Sequence, residues 1–114
     1  MLIAFILDFV YTFVYTIEMV EMNIEWNEKK RLANLEKHGV DFIDAALIFE
    51  NPVLESVDIR ENYNEERLQA LGYVDDDYFM VVYTWRNNIR RIISAWKVNE
   101  NGKKRYKKLF SGRT

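Results

Sequence analysis

The chain reads as an α+β domain: two N-terminal helices, a four-stranded antiparallel sheet and a C-terminal helix, behind an apolar N-terminal extension. Three observations lead there. Residues 28–50 carry helix caps and apolar residues at helical spacing, residues 53–96 switch to alternating Val, Ile, Tyr and Phe broken by polar turns, and residues 99–110 return to a basic helical run. With 49% hydrophobic and 30% charged residues among 114, the composition is that of one folded domain, not a disordered tail. One Pro and four Gly exclude collagen-like repeats. The absence of Cys excludes disulfides, thiolate metal sites and a Cys nucleophile, and suits a reducing cytoplasm, while a single His excludes a multi-histidine metal site. Neither a metal nor a cofactor is expected.

Each element has a local cause. Asn23-Ile24-Glu25-Trp26 is a short extended lead-in, and Asn27 caps a first helix over residues 28–37 with sparse apolar positions at Leu32, Ala33 and Leu35. Gly39 stands where a left-handed C-terminal cap belongs, just after Lys37-His38, whose charge complements the carbonyl end of the helix dipole. Asp41, with Asp44 three residues on, starts a second helix in which Phe42, Ala45, Ala46 and Phe49 share one face until Asn51-Pro52 ends it. Val53–Ile59, Arg67–Val74, Tyr78–Trp85 and Ile89–Trp96 read as strands. The links at residues 75–77 and 87–88 are short enough for hairpins, so the last three strands form an antiparallel meander. Asn99 caps the final helix, which ends near Phe110. Helices cover one sheet face, and the more open face is where a ligand binds.

Residues 1–21 differ sharply from the rest. They hold Asp8, Glu18 and Glu21 and no base, so a signal peptide, which needs a basic leader, is a poor reading. As a membrane span the segment is marginal, because Asp8 near its middle costs about 2.5–3.5 kcal/mol. The expectation is an appendage, with the working domain over residues 22–114 starting at Met19 or Met22; a packed strand or helix is the next reading. No membrane association is expected.

Charge is strongly segregated. Residues 41–78 sum to −9 and residues 84–114 to +9. The basic quarter therefore faces a polyanion, or else the two segments face each other. Within it, Arg86, Arg90 and Lys97 interleave with Trp96 and Tyr106, a mixture that grips phosphates and stacks bases. Metal-independent RNA cleavage needs a base, an acid and cations, roles open to His, Glu, Lys and Arg. Lys37, His38, Glu66, Arg67 and Arg91 are the candidates, with a capped helix end and an exposed ion pair as their structural alternatives. Arg90 and Arg91 point to opposite faces of a regular strand, and Arg91 and Ser94 diverge unless a bulge intervenes. No nucleophile elbow, Walker loop, dinucleotide fingerprint or zincin motif occurs.

These residues resemble a known family. Trp26-Asn27, Lys29 or Lys30, Asn34, Lys37-His38-Gly39-Val40, Phe42 and Ala45 are similar to the opening of BrnT-type toxins of type II toxin–antitoxin pairs. Glu66-Arg67 with Gly72, Val81-Val82-Tyr83-Thr84, and Arg91-Ile92-Ile93-Ser94-Ala95 with Tyr106 follow in the family's order, spanning residues 23 to about 108. The resemblance implies a RelE-like endoribonuclease in the cytoplasm that arrests translation without a metal. It also implies neutralisation by a BrnA-like antitoxin with a ribbon-helix-helix part, through which operator DNA is contacted. Carried across, His38 is the proton donor, Arg67 and Arg91 clamp phosphate, Lys37 is clamp or base, Glu66 is the alternative base, and Tyr106 stacks on or bonds to the nucleotide. The chain departs at Asn27, usually Asp; at Trp96, usually Arg; and at Gly102, usually the Glu of a capping box. Trp96 removes a permanent cation and adds a stacking surface, which favours an alternative reading: a catalytically weak interaction protein that modulates operon repression.

Overall fold

The computed structural model describes residues 23–111, so the expected extension over residues 1–21 lies outside the described residues. The elements are β1 (Ile24–Trp26), α1 (Glu28–His38), α2 (Phe42–Ala45) running into a 3-10 turn (Ala46–Glu50), β2 (Leu54–Val57), β3 (Leu68–Val74), β4 (Asp77–Arg86), β5 (Ile89–Lys97) and α3 (Glu100–Ser111). Together they make an α+β fold with three helices and one five-stranded sheet, ordered β1-β5-β4-β3-β2.

The sheet corrects the sequence reading in one respect. The four expected strands form the antiparallel series β2-β3-β4-β5, but Ile24–Trp26 adds a fifth strand, parallel to β5 and in register from Ile24 opposite Arg90 to Trp26 opposite Ile92. The sheet is therefore mixed. Three residues carry too little pattern to be read as a strand; their partner lies 66 positions away, as the Glu25–Arg91 contact shows. The second helix also differs. After Ala45 it tightens into a 3-10 turn, and i, i+3 spacing of apolar residues suits both helix types. The tight turn lies close on the sheet: a Cβ at Gly72 would come within 2.9 Å of Ile48 Cβ.

Caps fall as their chemistry requires. The Asn27 side chain accepts from Lys30 N, and Gly39, at φ 70°, donates its N–H to Leu35 O at 2.8 Å. Asn87 and Asn88 both take positive φ, as a type I′ hairpin demands. Glu28 ties the start of α1 to its surroundings, accepting from Trp26 Nε1 and, through both oxygens, from Arg31, which also bonds Asp41 at the cap of α2. The Arg31 bond holds the Glu28 carboxyl below its usual range against the opposing effect of burial.

The core lies between α1, α2 with its 3-10 turn, and one sheet face, where Trp26, Phe42, Ile48, Val81, Tyr83, Ile92 and Ala95 are buried. α3 packs instead on the other face, with Tyr106 against Tyr73 and Tyr78, which corrects the expectation that helices cover one face alone; that face stays open where β5 meets the loop between β2 and β3. In the β4–β5 ladder, Val82 faces Ser94 but Tyr83 faces Ile92, so Ile93 is an extra residue. This bulge keeps Ile92 and Ala95 both in the core, and by the same step puts Arg91, Ser94 and Trp96 together on the opposite, open face.

β1 ends opposite Ile92, leaving the edge of β5 bare from there on. Asn34 of α1 covers it. Its side-chain amide donates to Ala95 O at 2.8 Å and to Val40 O at 2.9 Å, while its carbonyl accepts from Ala95 N at 3.1 Å. A buried asparagine thus completes the ladder where a strand is missing. Replacing it strands buried backbone groups. Asn34→Ala is expected to lower unfolding free energy in urea by about 2–3 kcal/mol, and Asn34→Asp by at least as much, because a carboxylate cannot donate to two carbonyl oxygens.

Candidate active site

The last turn of α1, held against β5 by Asn34, brings Lys37 and His38 round the sheet edge to the open face. There they meet Ser94, Trp96 and Lys97 of β5, Arg67 at the start of β3, and Arg60, Glu61 and Tyr63 from the loop between β2 and β3. These nine residues line one cleft of about 590 Å³. Lys37 makes no ion pair among the described residues. The His38 ring lies 6.0 Å from the Trp96 ring, centroid to centroid and tilted by 40°.

The loop wall is organised by Asp58, whose side chain is fully buried. Its Oδ1 accepts from Arg60 N at 3.2 Å and Arg60 Nε at 2.8 Å; its Oδ2 accepts from Arg60 Nη2 at 2.9 Å and the Tyr63 hydroxyl at 3.1 Å. The Arg60 bond, opposed by burial, pulls the Asp58 carboxyl down to about 2, and the guanidinium is correspondingly harder to deprotonate. Each partner then supports a further group. Arg60 sits 5.4 Å from the Trp96 ring centre, and the Arg67 guanidinium lies 4.1 Å over the Tyr63 ring, with a 3.5 Å contact to Glu65.

Of the residues singled out in the sequence, Lys37, His38, Arg67, Trp96 and Lys97 line this one cleft. The other candidates do not line it. Arg91 shares the open face through the bulge but pairs with Glu25 of β1 at 3.0 Å. The Glu66 side chain borders a neighbouring hollow of about 480 Å³ under the same loop, and its carbonyl accepts from the Thr84 hydroxyl. Arg86 pairs with Glu65. Arg90 points to the helix-covered face, 4.2 Å from the Phe49 ring and 4.6 Å from that of Trp85, beside a Tyr83 hydroxyl that donates to Glu55. Burial pushes the Tyr83 hydroxyl up to about 12. Tyr106 is buried against Tyr73 and Tyr78 and donates its hydroxyl to Pro52 O at 2.6 Å, so it fastens α3 to the sheet. Gly102 has a packing reason as well: a Cβ there would meet Val98 Cβ at 2.9 Å.

Acidic and basic segments do meet, at Arg86–Glu65 and Lys97–Asp77, yet Lys104, Arg105, Lys107 and Lys108 of α3 pair with no acid among the described residues. Asp58, Arg60, Glu61 and Tyr63 were not singled out by sequence. Their loop has no hydrophobic period, and the one local signal is Asp-x-Arg, a carboxylate within reach of the backbone N–H two residues on. Among the described residues no three His, Cys, Asp or Glu side chains cluster in a way that could hold a metal ion.

The cleft on the open sheet face of this small α+β domain is lined by lysine, histidine and arginine side chains, cationic groups of the kind that hold phosphate. Residues 26–101 match the family described as ribonuclease toxin, BrnT, of type II toxin–antitoxin system, and the chain belongs to that family. Membership brings an antitoxin partner with it. No curated protein matches the chain.

The depressed Asp58 fixes the sign of a pH effect. A carboxyl at about 2 when folded, against an ordinary 3.8, stabilises the fold above pH 4 and loses that contribution as pH falls towards 2. Thermal melts of wild type and Asp58→Asn are expected to differ most above pH 5 and to converge only as pH falls to 2 and below.

Proposed function

We propose that the protein is a RelE-like endoribonuclease that cleaves RNA by attack of the ribose 2′-hydroxyl on the adjacent phosphate, without a metal. The observation that carries this is the meeting of Lys37, His38 and Arg67, from two distant stretches, in a single cleft. The nucleophile is the substrate's own oxygen, so the protein has to supply a proton acceptor, a proton donor and positive charge. Lys37 or a carboxylate takes the 2′-hydroxyl proton as the new O–P bond forms; Glu61, at the cleft, is better placed for this than Glu66. His38 gives its proton to the departing 5′-oxygen. Arg67, over the Tyr63 ring, holds non-bridging oxygens of the phosphorane. Arg91, on the same face, binds phosphate further along the strand. The products are a 2′,3′-cyclic phosphate and a 5′-hydroxyl.

The partner in this reading is a BrnA-like ribbon-helix-helix antitoxin that blocks cleavage, arrests the toxin's effect on translation and alone contacts operator DNA. Among the described residues no helix is long and apolar enough to cross a membrane, and we place the activity in the cytoplasm. A second reading, a catalytically weak interaction protein, rests on Trp96 occupying the cleft wall.

Purified protein is expected to cut single-stranded RNA in EDTA, with about 100-fold or greater loss of kcat for His38→Ala and Arg67→Ala and a smaller loss for Arg91→Ala. Wild-type rates for His38→Ala and Arg67→Ala contradict the assignment. Trp96→Arg separates the two readings. Little change in cleavage supports the ribonuclease, and a sharp rise supports the weak form.

A further inference from the structure

Arg60 is half exposed, and side chains of that kind normally sample many rotamers. This one is held on two sides. Its Nε and Nη2 edge is clamped by the buried Asp58 carboxylate, and its plane approaches the Trp96 ring at 5.4 Å. Nη1 makes no bond to Asp58. A guanidinium with one edge on a buried carboxylate, its body against an indole and its remaining donors at a cleft is preorganised for a second anion.

The same carboxylate holds Arg67 at one remove. Asp58 accepts from the Tyr63 hydroxyl, and Tyr63 lies under the Arg67 guanidinium. The two arginines of the cleft are therefore held by one buried group, Arg60 directly and Arg67 through Tyr63. Trp96 fits this arrangement as a seat for the guanidinium. An indole at that position leaves the open face with a cation brought in from the loop.

We infer that Arg60 binds a backbone phosphate of single-stranded RNA, one that Arg67 does not hold, and that Asp58 is the positioning residue for both arginines. This deepens the ribonuclease reading and rests on it. The site selects a flexible single strand, because two cations set in one rigid frame need phosphates that can turn towards them.

Binding of a fluorescein-labelled 2′-O-methyl oligonucleotide, which lacks the attacking hydroxyl, tests the inference by anisotropy at several salt concentrations. Arg60→Ala is expected to weaken binding about tenfold and to lower the slope of log K against log salt by roughly 0.7, the loss of one phosphate contact. Arg60→Lys keeps the slope and loses part of the affinity. Asp58→Asn weakens binding, and the Asp58→Asn/Arg60→Ala pair binds more weakly than Arg60→Ala alone, because Arg67 loses its support as well, while thermal melts show each variant folded. If wild type binds and cuts RNA and Arg67→Ala impairs it, yet Arg60→Ala keeps wild-type affinity and slope, the inference is overturned and the ribonuclease reading stands. If wild type neither binds nor cuts RNA, the ribonuclease reading fails and takes the inference with it. Should Asp58→Asn fail to fold, the Arg60→Ala and Arg60→Lys slopes decide alone.

Discussion

One asparagine determines where the helix end meets the sheet. A parallel strand as short as β1 covers only part of β5, and a bare edge within a folded domain leaves backbone groups that must find partners. Asn34 supplies both a donor and an acceptor to Ala95, and a second donor contact to Val40 just past the helix. It thereby sets α1 along the strand at a fixed height. Lys37 and His38 follow one turn later, and the left-handed Gly39 stops the helix before it leaves the edge. Had β1 continued to pair with β5, the last turn of α1 would have no route to the open face.

The second constraint comes from the opposite side of the cleft. Loops seldom hold side chains in place, since their backbones are solvated and their pairings local. Here a fully buried carboxylate does so, binding a backbone N–H, a guanidinium and a phenol within five residues. The cleft therefore has two independent anchors, Asn34 for the helix wall and Asp58 for the loop wall, with β5 between them. The bulge at Ile93 adjusts that middle element so that Ser94, Trp96 and Arg91 face the same way.

Much of this was legible in the sequence because its causes are local. Asn27, Gly39 and Asp41 act on their own helices, and the alternation of residues 68–96 names a meander with ends correct to within a residue or two. What escaped depended on distant partners. β1 has no signal of its own, and the Asn34 side chain gives no hint that it will pair with a backbone 61 positions on. Lys37, His38, Arg67 and Trp96 could be named from the sequence by their chemistry and family resemblance. Arg60 and Tyr63 could not, since a charged, aperiodic loop looks the same whether or not a carboxylate beneath it holds it still. The resemblance marked Trp96 as a cation lost; the structure puts Arg60 against it.

The central claim is that RNA lies across the cleft between the end of α1 and the β2–β3 loop. A backbone amide NMR titration with an uncleavable 2′-O-methyl oligonucleotide measures this directly. The account predicts the largest shift changes at Lys37, His38, Arg60, Tyr63, Arg67, Ser94 and Trp96. Changes confined to the basic face of α3, with the cleft silent, contradict it.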